Sequence, residues 1–262
     1  MSTPYQLLLS SNPYQQIQTE IHREQQPHGI SPGFSNSGFS LQKSGSLPEG
    51  MLLLGKAEDG SPVQLNLYDP TLGPLLVAGD GGSGKTAFLK SLARVSNVQD
   101  PGDIQFGVLT PFPEEWTALE NLPHCLGVWP AYHPSAFDFI SQMVNWSEML
   151  PRTRQAVLFL FDGLDLITGS DFLYQCYLRW LLLNGPERHI WPVISVNPAR
   201  LIHLQAWLDY FHTRILGQVK FALTARSLVE DPNMDLANLH PGKQFGLFQD
   251  GKWSKFWLPP FE

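Results

Sequence analysis

Leu75-Leu-Val-Ala78-Gly79-Asp80-Gly81-Gly82-Ser83-Gly84-Lys85-Thr86-Ala-Phe-Leu89 is the stretch that decides how this chain is read. Four apolar residues in a row suit a short buried strand, and the run stops at Gly79. Beyond Gly84 the residues Phe88, Leu89, Leu92 and Ala93 recur at helical spacing, which predicts a helix over 85–95. The loop between them matches G-x-x-x-x-G-K-[ST] without a mismatch. Glycines let the backbone curl until successive N–H groups point at one phosphate, and the following helix adds its positive end. Lys85 is placed to reach the β- and γ-phosphates, and the Thr86 hydroxyl to hold Mg²⁺. Gly79, Asp80, Gly81, Gly82, Ser83, Gly84, Lys85 and Thr86 are therefore the expected nucleotide-binding residues.

Outward from this loop the chain alternates between strands and helices. Ile104–Leu109, Leu126–Trp129, Val157–Phe161 and Trp191–Val196 read as strands; 113–119, 135–149, 171–183 and 201–211 read as helices. Val157-Leu-Phe-Leu-Phe161 is apolar throughout, as befits a central parallel strand covered on both faces. Short strands flank the alternating part: Met51–Leu54 with Pro62–Leu67 around Glu58-Asp59-Gly60, and Phe245–Gln249 with Trp253–Leu258 around Asp250-Gly251. The expected fold is α/β, a mainly parallel sheet with helices on both faces and small hairpins at the start and end of one domain spanning 47–262. Residues 1–46 differ. The first fifty residues hold seven Gln, nine Ser and only five charged residues, too little apolar surface to offset the entropy of ordering. They are expected to form a flexible arm, and Tyr5, Leu7–Leu9, Tyr14 and Ile17 within it could seat on a protein partner.

Of 262 residues, 43% are apolar, enough for a full core. The net charge of −7 (Lys plus Arg 17, Asp plus Glu 24) argues against a protein that gains affinity by blanketing phosphates with cations. It leaves room for a local basic loop; Lys220, Arg226, Lys243, Lys252 and Lys255 are the candidates in the last third. Cys125 and Cys176 are the two cysteines, which encodes no disulfide framework or cysteine zinc site, and the histidines lack metal-ligand spacing. The opening Met-Ser-Thr-Pro-Tyr has no charged n-region followed by an apolar core, and no apolar run reaches bilayer length. A cytoplasmic protein without a membrane segment is the expectation.

A second carboxylate-bearing element follows the apolar run at 157–161. Asp162, at the tip of a strand expected beside the phosphate loop, suits a Walker B aspartate that holds Mg²⁺ with Thr86. The next residue is Gly163, which has no side chain to polarise a water. Asp165 stands close by, either as a turn or helix cap or as a substitute base. The strand at 191–196 runs into Asn197, a candidate sensor of the γ-phosphate. Arg188 and Arg200 flank that strand and read as surface arginines or as fingers toward a neighbour's nucleotide.

In these residues the chain resembles the motor domain of the FtsK/SpoIIIE family, in the FtsK–HerA group of P-loop ATPases. Leu54–Val63 and Pro74–Gly79 resemble that family's leading hairpin and first strand. Leu122-Pro-His-Cys-Leu126 and Trp146-Ser-Glu-Met149 resemble segments between its second strand and Walker B. Asp162-Gly-Leu-Asp-Leu166 is similar to its Asp-Glu-x-x-Asp-Leu with the Glu position held by glycine, and Pro241–Phe248 with Trp253–Pro259 resembles its terminal hairpin. The likeness spans roughly residues 47 to 260. It implies a RecA-like sheet, ATP and Mg²⁺ as ligands, a homo-oligomeric ring with nucleotide between subunits, and movement of double-stranded DNA or other cargo. It also implies a membrane anchor and a DNA-reading winged helix in full-length translocases, neither of which is found here. Three readings follow: a nucleotide-switched ring module with Asp162, Asp165 and Asn197 at its catalytic edge and slow hydrolysis, an active DNA translocase, or a P-loop regulatory switch that forms no ring.

Overall fold

The apolar runs pair into one ten-stranded sheet in the computed structural model, which describes residues 48–149, 155–229 and 235–259. The strands are β1 Met51–Ala57, β2 Pro62–Asn66, β3 Leu75–Ala78, β4 Ile104–Thr110, β5 Cys125–Pro130, β6 Ala156–Asp162, β7 Ile190–Val196, β8 Thr213–Leu216, β9 Gln244–Gln249 and β10 Lys252–Trp257. The α-helices are α1 Lys85–Ser96, α2 Thr117–Glu120, α3 Pro134–Met149, α4 Phe172–Asn184, α5 Gln205–Leu208 and α6 Ala222–Leu228. The expected N-terminal arm and its docking residues lie outside the described part.

Across the sheet the order is β2-β1-β10-β9-β8-β3-β7-β6-β4-β5. From β8 to β5 every neighbouring pair is parallel. From β8 outward through β9, β10, β1 and β2 every pair is antiparallel. The two terminal hairpins are thus not appendages. They zip onto the free edge of β8 and continue the sheet, giving partners to N–H and C=O groups that an open edge would leave to water or to other chains.

The parallel strands are buried on both faces, and their alternation sorts the core into two layers. On one side Leu75 and Val77 of β3, Leu158 and Leu160 of β6 and Val193 of β7 pack with Phe88, Leu89 and Leu92 of α1. On the other, Leu76, Phe159, Phe161 and Ile194 pack with Phe139 and Ile140 of α3, Leu178 and Leu181 of α4, and Trp207 and Leu208 of α5. The continuous apolar reading of 157–161 is explained by this two-sided cover.

Two expectations are corrected. The strand ending in Asp162 does not lie beside the phosphate-loop strand: β7 stands between them, pairing with β3 through Leu76↔Ile194 and with β6 through Leu160↔Val193. Strand order in a parallel sheet is set by where each crossover helix lands, and nothing local to residues 157–162 encodes it. The helix expected over 201–211 is instead a 3-10 turn, Pro198–His203, followed by the single turn α5. Leu204 between them holds φ −117°, outside the helical region, and breaks the run. Thr213-Arg-Ile-Leu216 and the helix at 222–228 escaped the reading, the former because four residues with an arginine among them carry little strand signal.

Candidate functional site

Strand alternation decides what meets at the C-terminal ends of the parallel strands. Asp162 has the parity of Leu158 and Leu160, so it leaves β6 on the face covered by α1. Ser195 has the parity of Val193 and faces the same way; the two are direct register partners. Helix α1 begins on this face with Lys85 and Thr86. The result is a carboxylate held from two sides. Thr86 donates its hydroxyl to Asp162 Oδ2 at 2.7 Å, and Ser195 donates to Asp162 Oδ1 at 2.7 Å. Asp162 and Ser195 are both buried.

The loop before α1 is braced from two directions. Asp80 N–H donates to Gln218 O (2.9 Å) and its carboxylate accepts from Lys220 N–H (2.8 Å). Gly242 N–H donates to Ser83 O at 2.9 Å. Gly84 sits at φ +96°, and a Cβ there would lie 2.3 Å from Gly242 Cα, so both conformation and space demand glycine. Above Gly81 and Gly82 the situation is reversed: a Cβ at either would meet nothing within 4 Å. The middle of the loop therefore faces open space. Lys85 folds back over the loop, donating to Gly79 O (2.7 Å) and Asp80 O (3.0 Å). Burial pushes its ammonium below the ordinary lysine value, and the carboxylates of Asp162, Asp80 and Asp165 draw it part of the way back. Ser83 is buried, and its hydroxyl has no hydrogen-bond partner among the described residues.

These residues fit a phosphate chain and Mg²⁺. The first N–H groups of α1 have no carbonyl partner within the helix, the loop before them is open at Gly81 and Gly82, and the Lys85 ammonium rests on the Gly79 and Asp80 carbonyls of the same loop. A hydroxyl and a carboxylate already in contact, Thr86 and Asp162, supply hard oxygen ligands for a cation that would take its remaining ligands from phosphate and water. No group of three or more His, Cys, Asp or Glu able to hold a metal by itself occurs among the described residues.

The other expected site residues fall out differently. Asn197 lies one residue past β7, and its Oδ1 accepts from Ala199 N–H, capping the turn that follows. Ser195, two residues earlier, is the β7 residue that touches Asp162. The signal for it was available in the two-residue alternation from Val193. Asp165 sits half-buried in the 3-10 turn Leu164–Gly169. Arg188 precedes β7, at the end of that strand remote from Ser195; it donates to Ser147 O at 2.7 Å and lies over the Trp180 ring. Arg200, exposed just after β7, is at the same end of the sheet as Thr86 and Asp162. Two of the cations of the last third lie at opposite ends of one hairpin. Lys243 adjoins the Gln244↔Trp257 end of the β9–β10 hairpin, whereas Lys252 pairs with Gln249 at its other end.

No protein-family model matches the sequence, and no curated protein matches it. Solved structures do match in fold. EssC from Geobacillus thermodenitrificans (ATPases 2 and 3) superposes with a TM-score of 0.68 at 14% identity, covering 81% of this chain and 45% of that one. Thermomonospora curvata EccC (ATPases 2 and 3), in complex with a signal sequence peptide, gives 0.65 at 14% identity over 90% of this chain and 46% of its own. The pCW3 conjugation coupling protein TcpA, in a monomer form with ATPγS, gives 0.59 at 13% identity over 82% and 67%. These neighbours are FtsK/SpoIIIE-type P-loop ATPases, and this chain has their RecA-like fold. It spans a little under half the length of the EssC and EccC chains. Among the described residues no helix is long and apolar enough to cross a membrane.

Proposed function

We propose that this chain is an ATP- and Mg²⁺-binding module of the FtsK-like type, which assembles with copies of itself and switches with nucleotide in the cytoplasm. The observation that carries the reading is the Thr86–Asp162–Ser195 contact beside Lys85. It brings the end of one motif onto the end of another 76 residues away in the sequence, in the arrangement Mg²⁺-nucleotide chemistry asks for. When bound, Mg²⁺ neutralises charge on the phosphates. Thr86 and Asp162 would hold it, Lys85 would exchange the Gly79 and Asp80 carbonyls for phosphate oxygens, and Ser195 would keep the Asp162 carboxylate turned toward Thr86. Arg200, exposed at the nucleotide end of β7, is the arginine that could reach a neighbour's nucleotide; Arg188 is engaged elsewhere. Hydrolysis is expected to be slow, because residue 163 offers no side chain to a water.

Titration with a fluorescent ATP analogue, with and without Mg²⁺, tests the reading. Binding that requires Lys85 and tightens with Mg²⁺ is expected, together with a rise in mass by light scattering when nucleotide is added. Binding without any change in mass favours a solitary switch. The net charge of −7 weighs against double-stranded DNA as the cargo. Two of the structural neighbours described above are ATPases 2 and 3 of EssC and EccC, one of them seen with a signal sequence peptide. A protein cargo is therefore the reading to test before DNA-stimulated turnover.

A further inference from the structure

We propose that Phe221 is the base-stacking residue of this site, its ring taking the flat face of a purine nucleobase while the loop takes the phosphates. The inference rests on the nucleotide-binding reading above and adds where the nucleoside lies. Strand β3, which leads into the loop, has β7 on one side and β8 on the other. The carboxylate and hydroxyls that suit Mg²⁺ stand toward the first side, since Asp162 ends β6 and Ser195 belongs to β7. With the γ-phosphate end there, the phosphate chain runs back across Gly81 and Gly82. Sugar and base then leave over the β8 side.

Residues 217–221 line that side. Beyond β8 the backbone follows the loop: Gly217 N–H donates to Ala78 O at 2.8 Å, Asp80 N–H to Gln218 O at 2.9 Å, and Lys220 N–H to the Asp80 carboxylate at 2.8 Å. Phe221 is the next residue, so covalent geometry keeps its Cα within about 8 Å of that carboxylate oxygen. Its backbone is extended (φ −92°, ψ 118°) and is held on both sides, by the Lys220 amide before it and by its own carbonyl, which accepts from Ala225 N–H at 2.9 Å. Val219 in the same segment is buried and donates its N–H to Leu236 O at 3.2 Å, which anchors the stretch to the core. Phe221 and Leu223, by contrast, are 74% and 81% exposed. A ring and a leucine left bare two residues apart, on a fixed stem beside the phosphate loop, form a surface suited to a flat apolar ligand. Stacking asks for nothing more, because every base has a π-face and no donor or acceptor has to be matched. The preference it supplies is for purine over pyrimidine rather than for adenine over guanine.

Calorimetric titration of the full-length wild type, F221A, F221W and K85A with Mg²⁺-ATP, Mg²⁺-CTP and inorganic tripolyphosphate tests this. F221A is expected to lose roughly 5- to 150-fold in affinity for ATP. It should lose less for CTP and bind tripolyphosphate as wild type does, which also shows that it folds with its loop intact. F221W is expected to keep its affinity for ATP, since an indole offers a stacking face of its own. Equal affinity of F221A and wild type for ATP overturns the inference. So does an equal loss for tripolyphosphate, which would make Phe221 a prop for the loop, and so does a loss in F221W that matches F221A. Each of these leaves nucleotide binding standing where K85A weakens it. A wild type that binds neither ATP nor tripolyphosphate removes both readings.

Discussion

The loop between β3 and α1 works through its backbone, whereas the turn after β6 works through the side chains that its backbone carries. In the first, Gly84 is pressed against Gly242 and Asp80 is tied to Gln218 and Lys220, so the amides are fixed while Gly81 and Gly82 stay open to a ligand. In the second, the fixed object is the Asp162 carboxylate, gripped by hydroxyls from two other elements. Immediately after it, Gly163 turns the chain at φ +118°, where any other residue would be strained. A backbone site tolerates no relocation, because its geometry is the motif. A side-chain site can be rebuilt from a different position if a turn brings the right group round.

That contrast can be broken or sharpened by substitution. The largest effect is expected from K85A, which removes charge-assisted hydrogen bonds to phosphate and should weaken ATP-analogue binding by about 10²-fold. Unchanged affinity in K85A would mean that the loop is not the nucleotide site. S195A leaves the backbone site intact and frees one oxygen of Asp162. Loss of such an orienting partner costs on the order of tenfold in metal affinity, so the Mg²⁺ concentration needed for tight analogue binding should rise by that factor while Mg²⁺-free binding stays put.

The glycines separate the two regions by a different measurement. G163A forces a Cβ into a left-handed conformation at a cost of about 1–2 kcal/mol, which for a domain of this size lowers Tm by roughly 2–4 °C per kcal/mol. G81A, with open space around its Cβ, should leave Tm unchanged and weaken nucleotide binding by obstructing the approach of phosphate. The reverse pattern in thermal melts would contradict the assignment of strain to one turn and openness to the other.

The smallest effect concerns pH. Burial lowers the Lys85 pKa below its ordinary 10.5, so the unfolded chain binds more protons than the folded one between the folded value and 10.5. Apo stability then rises with pH across that window, and the penalty of burying the charge is fully present below it. K85M should therefore be more stable than wild type at neutral pH without nucleotide, with the gap closing as pH approaches 10.5. Melting curves of the two proteins over pH 7 to about 10 measure it.

Much of the parallel half of the sheet could be read directly from residues. Leu75–Ala78 was bounded to the residue, and the runs at 104–109, 157–161 and 191–196 were found to within a residue or two, because buried strands are continuous apolar segments. What escaped was short or pairwise. Thr213–Leu216 lacks periodicity, the 198–208 region breaks at Leu204, and the place of β7 between β3 and β6 depends on crossovers rather than on any local sequence. The candidate site divides in the same way. The loop's course from β3 into α1 was legible because a strand, a glycine-rich turn and a helix follow at short separations, whereas Ser195 as the second grip on Asp162 was visible only through strand pairing.

The amino-acid sequence alone determined that this chain carries a G-x-x-x-x-G-K-[ST] loop between a strand and a helix and a carboxylate at the end of a buried strand, since both follow from residue types at fixed short separations. Only the tertiary structure decided that β7 lies between them, that the terminal hairpins extend the sheet at β8, and that Gly163 turns left-handed. Those outcomes depend on contacts between residues distant in the chain and on a backbone angle that no residue identity fixes by itself. Glycine permits φ +118° at position 163, where the turn is closed by the Leu166 N–H donating to Gly163 O.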